Sequence, residues 1–352
     1  DNSWGTRQFK WTCWGSRTAD GCQSGFAMMA NRNPALGSAA YKNTELLARC
    51  TAKGLLHGGP HYVSHGIKPC IHHTFAHAKV LAFVQDNMGR LSQVNKSTPL
   101  PRELAKGVKH FPEIAVWLAA TGPWRATVSA YDSIYQTKSE PEYIQQATGG
   151  SLSLLYHSKV GLVFAASMAK YLQVEPLNQQ PNPDDDFALT PRIEIWKDGR
   201  WFTNLYDLKA EVLHNDNGKN IQFDVKTTLQ DKDRQTMKDE VSRFDIRYLF
   251  DSDKTKIIAK TSDGTISPSN VNLVLPVISP TGEKVHQVSN TRIEITKPEG
   301  TVVIESTVPL NIKNTKKGRA FNMVPGCEAV PIIASLPITA SMKAVCTISV
   351  LS

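Results

Sequence analysis

The stretch RIEITKPEGTVVIES, residues 292–306, has the alternation that is typical of paired antiparallel strands. Apolar residues alternate with polar ones on both sides of PEG, which predicts two strands joined by a turn. The same alternation occurs in RIEIWKDGRWF (192–202), IQFDVKTTLQ (221–230) and KAVCTISVLS (343–352). Roughly a dozen or more such segments follow Pro123 without intervening helices, so residues 123–352 are predicted to form a large antiparallel β-sandwich.

Residues 1–122 have a different periodicity. PALGSAAYKNTELLARCTAKGLL (34–56) starts with proline and carries apolar residues at helical spacing. HHTFAHAKVLAFVQDNM (72–88) and PEIAVWLAA (112–120) predict two more helices, and a short helix is expected near Phe26 after an opening loop. We therefore expect an α+β protein whose helical region ends near Gly122.

The chain has 352 residues, 41% of them hydrophobic, which is enough for a core and excludes a disordered protein. Residues 1–122 hold 14 Lys and Arg against 6 Asp and Glu, whereas the remaining residues hold 26 of each sign. This localised positive charge predicts an anionic partner. The sequence lacks RNP-like, helix-turn-helix and zinc-finger signatures, which disfavours nucleic acid, and no apolar run approaches the ~20 residues of a membrane-spanning helix.

The six cysteines include no CxxC pair. Cys13 with Cys22, and Cys327 with Cys346, are close enough in sequence to be bridged, which would suit a secreted or periplasmic protein. The alternative is buried free thiols.

Six histidines fall between positions 57 and 77, in HGGPHYVSHGIKPCIHHTFAH. Glycines and prolines keep the first three from sharing a helical face, so they are expected on a loop. His73 and His77 are four residues apart on the predicted helix and therefore face the same way. The six positions are His57, His61, His65, His72, His73 and His77.

Three interpretations of this cluster compete. Imidazoles that are neutral near pH 7 suit acid–base catalysis without a cofactor, with Tyr62 beside His61 as a phenol. His73 and His77 have a metal-ligand offset, with zinc or calcium as the metal, but no carboxylate lies in residues 46–85. The third interpretation is structural, with the histidines capping helices and satisfying backbone groups.

Other side chains are candidates for binding a sugar. Trp11 and Trp14 in the opening loop can stack on sugar rings, and Arg17 can bind a carboxylate, although a Trp-rich edge of the core is the alternative. GGSLSLLYHSKVG (149–161) predicts a hairpin with Tyr156 and His157 at its tip. That tip is either functional or an ordinary polar turn.

The stretches HGGPHYVSHGIKPCIHHTFAHAK (57–79) and GGSLSLLYHSKVGLVFAASM (149–168) resemble active-site and sandwich-entry segments of α/α-toroid polysaccharide lyases of the heparinase II/III type. The resemblance implies that residues 1–122 are the C-terminal part of a toroid. Another chain or fragment would complete that toroid, because a full one needs roughly twice the helices expected here.

The resemblance also implies β-elimination on a polysaccharide that contains uronic acid. His72 or His73 with Tyr62 would transfer protons, with His61 and His157 as further candidates, and Asn31, Arg32 or Arg125 would bind the substrate carboxylate. Two alternatives remain. The first is a metal-dependent glycan hydrolase that uses the histidines as ligands, and the second is a non-catalytic carbohydrate-binding protein.

Overall fold

The computed structural model describes most of the chain. The described residues are 16–57, 59–64, 66, 68–69, 71–86, 97–130, 148–165, 189–237, 241–262, 270–280, 283–313, 328–336 and 343–351.

The described helices all precede the large sheets. They are α1 (Ser16–Met29), α2 (Pro34–Arg49), α3 (Ile71–Asp86) and the single turn α4 (Pro101–Leu104). Asn33 caps α2, because its Oδ1 accepts a hydrogen bond of 3.0 Å from the amide of Ala35. The Gln23 side chain joins α1 to α2 by donating to the carbonyl of Ala40 and the hydroxyl of Thr44, both at 2.9 Å.

Two helix predictions are confirmed with changed ends. The helix predicted from Pro34 ends at Arg49, and the following residues form a small hairpin of β1 (Thr51–Ala52) and β2 (Leu55–Leu56). Lys53 and Gly54 adopt positive φ angles of 51° and 74°, which reverses the chain at this point. The helix predicted over residues 72–88 is α3.

The helix predicted over residues 112–120 is wrong. A single 3-10 turn, Pro112–Ile114, is followed by Ala115 with a left-handed φ of 45°, and Val116–Thr121 then form a strand. That strand pairs on both sides with its neighbours in a sheet, and this pairing outweighs the helical preference of a short apolar run. The strands of the large sheets thus begin at Gly107, ahead of the boundary predicted near residue 122.

Three antiparallel sheets contain the other described strands, as the alternating segments predicted. The first, in sequential order, consists of β3 (Gly107–Phe111), β4 (Val116–Thr121), β5 (Trp124–Ser129), β6 (Ser151–His157) and β7 (Gly161–Ala165). The second has the order β18-β19-β14-β8-β9, with β8 (Arg192–Lys197), β9 (Arg200–Thr203), β14 (Asn272–Ile278), β18 (Leu310–Ile312) and β19 (Ala329–Ser335).

The third sheet has eight strands in the order β10-β11-β12-β13-β20-β17-β16-β15. Buried side chains of all three sheets form one continuous apolar cluster, which includes Phe164, Ile193 and Phe223. The strands of this sheet are β10 (Glu211–Asp216), β11 (Ile221–Thr228), β12 (Arg243–Phe250), β13 (Lys254–Thr261), β15 (Lys284–Ser289), β16 (Arg292–Lys297), β17 (Gly300–Ser306) and β20 (Ala344–Leu351).

Cys346 is a buried thiol on β20 rather than half of a disulfide. Its sulfur lies 3.6 Å from the hydroxyl of Ser306, to which it donates, and burial raises the pKa of the thiol to about 11. The bridge expected between Cys327 and Cys346 is therefore not formed. The other expected pair, Cys13 with Cys22, lies outside the residues whose side chains are described.

None of the helices among the described residues has the length and apolar character of a membrane-spanning segment.

Gly149 connects the first two sheets at close range. It adopts a φ of 68°, and a Cβ placed there would overlap the backbone carbonyl of Asn204, whose side chain donates to the carbonyl of Gly149 at 3.2 Å. The same Asn204 side chain accepts from the amide of Ile193 at 2.9 Å, so the contact joins β8 to the start of β6.

Gly149→Ala is expected to lower the free energy of unfolding by roughly 2–5 kcal/mol, because left-handed strain adds to overpacking. Gly218→Ala is the matched control, since Gly218 has a φ of 80° and no atom within 4 Å of the added Cβ. It should lose only about 1–2 kcal/mol. Urea unfolding measures both, and equal losses would show that the approach to Asn204 does not matter.

Candidate active site

Two adjacent strands bring three predicted site residues together. Arg125 on β5 pairs with Tyr156 on β6, and Trp124 pairs with His157 in the same register. The hairpin predicted over residues 149–161 is confirmed as β6 and β7. A β-bulge between Leu155 and Tyr156 shifts the register where the strand changes from buried to exposed side chains, as bulges often do beside functional sites.

The Arg125 guanidinium is held by backbone carbonyls. Nε donates to Arg102 at 2.7 Å, Nη2 donates to Glu103 at 3.0 Å, and Nη1 donates to both Gly122 and Trp124 at 2.9 and 2.7 Å. Four of the five N–H groups of an arginine are therefore engaged, and within the part of the chain that the structure describes the fifth, on Nη2, has no hydrogen-bond acceptor and can donate to a ligand. Burial lowers the pKa of Arg125, and its electrostatic interactions with Tyr156 and Glu103 oppose that shift.

Glu103 extends this connection into the helices. Its carboxylate accepts from the Lys42 ammonium on α2 and, at 2.8 Å, from the amide of Leu100. The hydrogen bond from Lys42 is the main reason that the pKa of Glu103 is lowered. Because Arg125 bonds the carbonyls of Arg102 and Glu103, α4 links the first sheet to α2.

His157 is buried against Trp124, with ring centroids 4.5 Å apart in an edge-to-face arrangement. Its Nδ1 accepts a hydrogen bond of 3.2 Å from the amide of Lys159, so the neutral ring carries its proton on Nε2. Burial, and then the charge of Lys159, lower the pKa of His157. At neutral pH this ring is an uncharged hydrogen-bond donor.

The histidine-rich segment is placed on the turn after β2 and on α3. Tyr62 is fully buried and its amide donates to the carbonyl of Gly59 at 3.2 Å, whereas His61 is half-buried. His57 and His77 are buried. His72 and His73 lie in the first turn of α3, but their side chains, and all of His65, lie outside the described residues.

The predicted sugar-binding residues near the start of the chain are placed only in part. Asn31 and Arg32 are exposed on the turn between α1 and α2. Arg17 lies in α1 with a side chain outside the described ones, and Trp11 and Trp14 lie outside the described residues. Their roles remain predictions.

A metal site was one interpretation of the histidines. Among the described residues, no group of three or more His, Cys, Asp and Glu side chains is arranged to hold a metal ion. His73, one of the two proposed ligands, is not described at the side chain, so the metal interpretation also stays a prediction.

Comparison with known proteins assigns the chain to a family. The profile described as the Ulvan lyase C-terminal domain matches residues 108–351, which is more than half of the chain, and that of the Ulvan lyase N-terminal domain matches residues 1–103. The chain belongs to the ulvan lyase family. This confirms the resemblance to polysaccharide lyases, and the two family domains meet close to Gly107, where β3 begins.

One curated relative shares much of this sequence. The broad-specificity ulvan lyase of Formosa agariphila is 52% identical over 332 residues, which cover 94% of this chain and 51% of the relative. This member of the ulvan lyase family thus spans about half the length of that relative.

Solved structures of lower similarity include a heparinase III, with a TM-score of 0.49, 9% identity and coverage of 99% of this chain and 53% of that one. Heparan sulfate lyase HepC from Pedobacter heparinus gives a TM-score of 0.43 and 9% identity, with coverage of 96% and 60%.

Sequence reasoning did not identify Trp124 or Glu103 as parts of this site. Trp124 contacts His157, 33 positions later in the chain, through a strand pairing that the sequence spacing does not reveal. The Trp-Arg dipeptide at the start of a strand, next to a Gly-Pro turn, was the available local signal.

Arg125→Met should lower the free energy of unfolding by about 2 kcal/mol, since four carbonyl groups lose a charged donor. Arg247→Met is the control, because Arg247 forms an exposed ion pair with Asp224. This variant should lower the free energy of unfolding by less than about 1 kcal/mol. Urea unfolding compares the two variants. If the losses were equal, Arg125 would have no special role in joining α4 to the sheet.

His157 should titrate below pH 6.5 when its ring proton is followed by NMR. The unfolded chain binds a proton at His157 more readily than the folded chain does. The free energy of unfolding, as far as it depends on His157, is therefore highest above pH 6.5 and decreases as the pH falls below that value. Lys159→Gln should raise the pKa only part of the way, since burial remains the larger cause. A wild-type pKa at or above 6.5 would contradict the placement of this ring.

Proposed function

We propose that the protein is a lyase that cleaves an acidic, uronic-acid-containing polysaccharide by β-elimination. The observation that carries the proposal is the 52% identity over 332 residues to a broad-specificity ulvan lyase. The excess positive charge in residues 1–122 supports it, because such a surface attracts a polyanion.

The reaction sets three chemical requirements. A hydrogen-bond donor or cation must draw charge from the uronate carboxylate, a base must remove the C5 proton, and an acid must protonate the leaving glycosidic oxygen. None of these steps requires a carboxylate side chain, whereas a glycosidase usually employs a pair of them. The absence of Asp and Glu from residues 46–85 therefore suits elimination better than hydrolysis.

We assign proton transfer to the histidine-rich segment. His72 or His73 on the first turn of α3 and the half-buried His61 are the proposed bases, with Tyr62 as the phenol. As placed, Tyr62 has no exposed surface, so its participation requires the turn over residues 59–64 to open.

The hairpin of β6 and β7 is proposed to bind the substrate. The exposed phenol of Tyr156 stands beside the Arg125 guanidinium, whose remaining N–H can donate to a carboxylate. Neutral His157 is buried against Trp124 on the sheet face opposite Tyr156, and its Nδ1 already accepts from the backbone, so it is proposed to support the strand end rather than to act as a base. Asn31 and Arg32 are the proposed carboxylate ligands on the helical side.

The architecture proposed for the whole enzyme is an α/α-toroid joined to a β-sandwich. The three sheets with their shared core would be the sandwich, and α1 to α3 would be part of the toroid. Ile71 and Phe75 on α3 are 62% and 71% exposed, which supports a further segment or chain packing on that helix. Action on a polysaccharide outside the cell favours a secreted or periplasmic protein.

Incubation with ulvan tests the reaction, because elimination creates a conjugated double bond that absorbs in the ultraviolet. New reducing ends without that absorption would overturn elimination. Zinc or calcium present in stoichiometric amount, and lost together with activity on chelation, would instead support the metal-dependent hydrolase. Retention of the polymer without cleavage would support a binding protein.

His73→Ala should reduce turnover of ulvan at least about a hundredfold, which is the scale of general acid–base catalysis. The matched control is His286→Ala, an exposed histidine on the edge strand β15, which should retain wild-type turnover. A loss below tenfold for His73→Ala, with unchanged thermal unfolding, would exclude His73 as the base.

A further inference from the structure

The hairpin of β8 and β9 carries two exposed tryptophans opposite each other. Trp196 pairs with Trp201, and their ring centroids lie 5.0 Å apart at an angle of 62°. The rings are 54% and 43% exposed, although tryptophan is usually well covered in folded proteins. Two exposed tryptophans in contact with each other indicate a binding surface.

The hairpin holds this pair rigidly. The neighbouring pair, Ile195 and Phe202, is buried in the shared core, and side-chain alternation directs the tryptophans to the opposite face. Asp198 and Gly199 form a tight two-residue turn with φ angles of 50° and 75°, a conformation that matches strand twist. A preformed aromatic surface of this kind loses little entropy on binding.

A cation lies beside the rings. The Lys313 ammonium lies 5.7 Å from the centroid of Trp201. Aromatic faces contact the apolar faces of sugar rings, while cations bind carboxylate or sulfate groups.

The size of the surface argues for a sugar chain rather than a protein. Two tryptophans bury about 500 Å² at most, whereas a stable protein interface needs about 800 Å² from each partner. Two rings and the neighbouring Lys313 are enough to contact a few residues of an extended anionic polysaccharide.

We propose that the β8–β9 hairpin, with Trp196 and Trp201, is an auxiliary binding site for the acidic polysaccharide, separate from the site that cleaves it. The hairpin belongs to a different sheet from Tyr156 and His157. It would hold a long polymer near the enzyme between cleavage events. The identity of the ligand rests on the proposed function.

Retention in a native gel containing ulvan tests binding without requiring turnover. The double variant Trp196→Ala/Trp201→Ala should bind the polymer about tenfold more weakly. Its turnover of a short ulvan oligosaccharide, followed by the ultraviolet absorption of the product, should stay at the wild-type rate. Leu213→Ala, an exposed apolar residue on β10, is the control and should keep full retention. Lys313→Gln should weaken retention at low salt and lose that effect at high salt.

Unchanged retention of the double variant, with an unchanged melting temperature, would overturn the auxiliary site. An equal fall in oligosaccharide turnover would place the tryptophans in the cleavage site and would also overturn it. The wild-type protein could produce no ultraviolet band from ulvan while the double variant still lost retention. That result would overturn the lyase proposal and support the binding site.

Discussion

Burial of the inward faces of three sheets in one apolar cluster is the constraint on which the described structure depends. Phe164, Ile193 and Phe223, from three different sheets, share this core, so no sheet can shift its register without exposing apolar side chains to water. The end of β6 is consequently fixed, and with it the positions of Tyr156 and His157. Packing of β6 in the core, rather than contacts between the side chains of the candidate site, therefore fixes the position of that site.

The junction between helices and sheets relies on polar bonds instead. Arg125 donates to carbonyls on α4 and on the turn between β4 and β5, and Glu103 continues the connection to Lys42. Because the hydrogen bonds of a guanidinium are directional, they fix the position of α4 relative to the sheet although little apolar surface is buried between them. Arg125 can therefore orient the helical side toward Tyr156 while presenting its last N–H to an anion.

Charge and imidazole chemistry are distributed over the chain in a way that suits a polyanionic substrate. The helical part carries the positive excess and most of the histidines, whereas the sheets contribute aromatic groups at the β6 end and at the β8–β9 hairpin. A uronate polymer needs both, because its carboxylates require neutralisation and its ring faces are apolar.

The antiparallel strands, the hairpin over residues 149–161 and the helices α2 and α3 could be predicted from the sequence alone, and the enzyme class followed from the resemblance of its histidine-rich and hairpin segments to known lyases. The strands and helices were predictable for a physical reason. These features depend on local alternation, caps and turns, which the chain expresses within a few residues. Three features became evident only in the folded chain: residues 116–121 form a strand, Arg125 joins α4 to the sheet, and His157 is neutral and packed on Trp124. Strand pairing, burial and carbonyl contacts between residues distant in sequence produce those outcomes, and no local pattern encodes them.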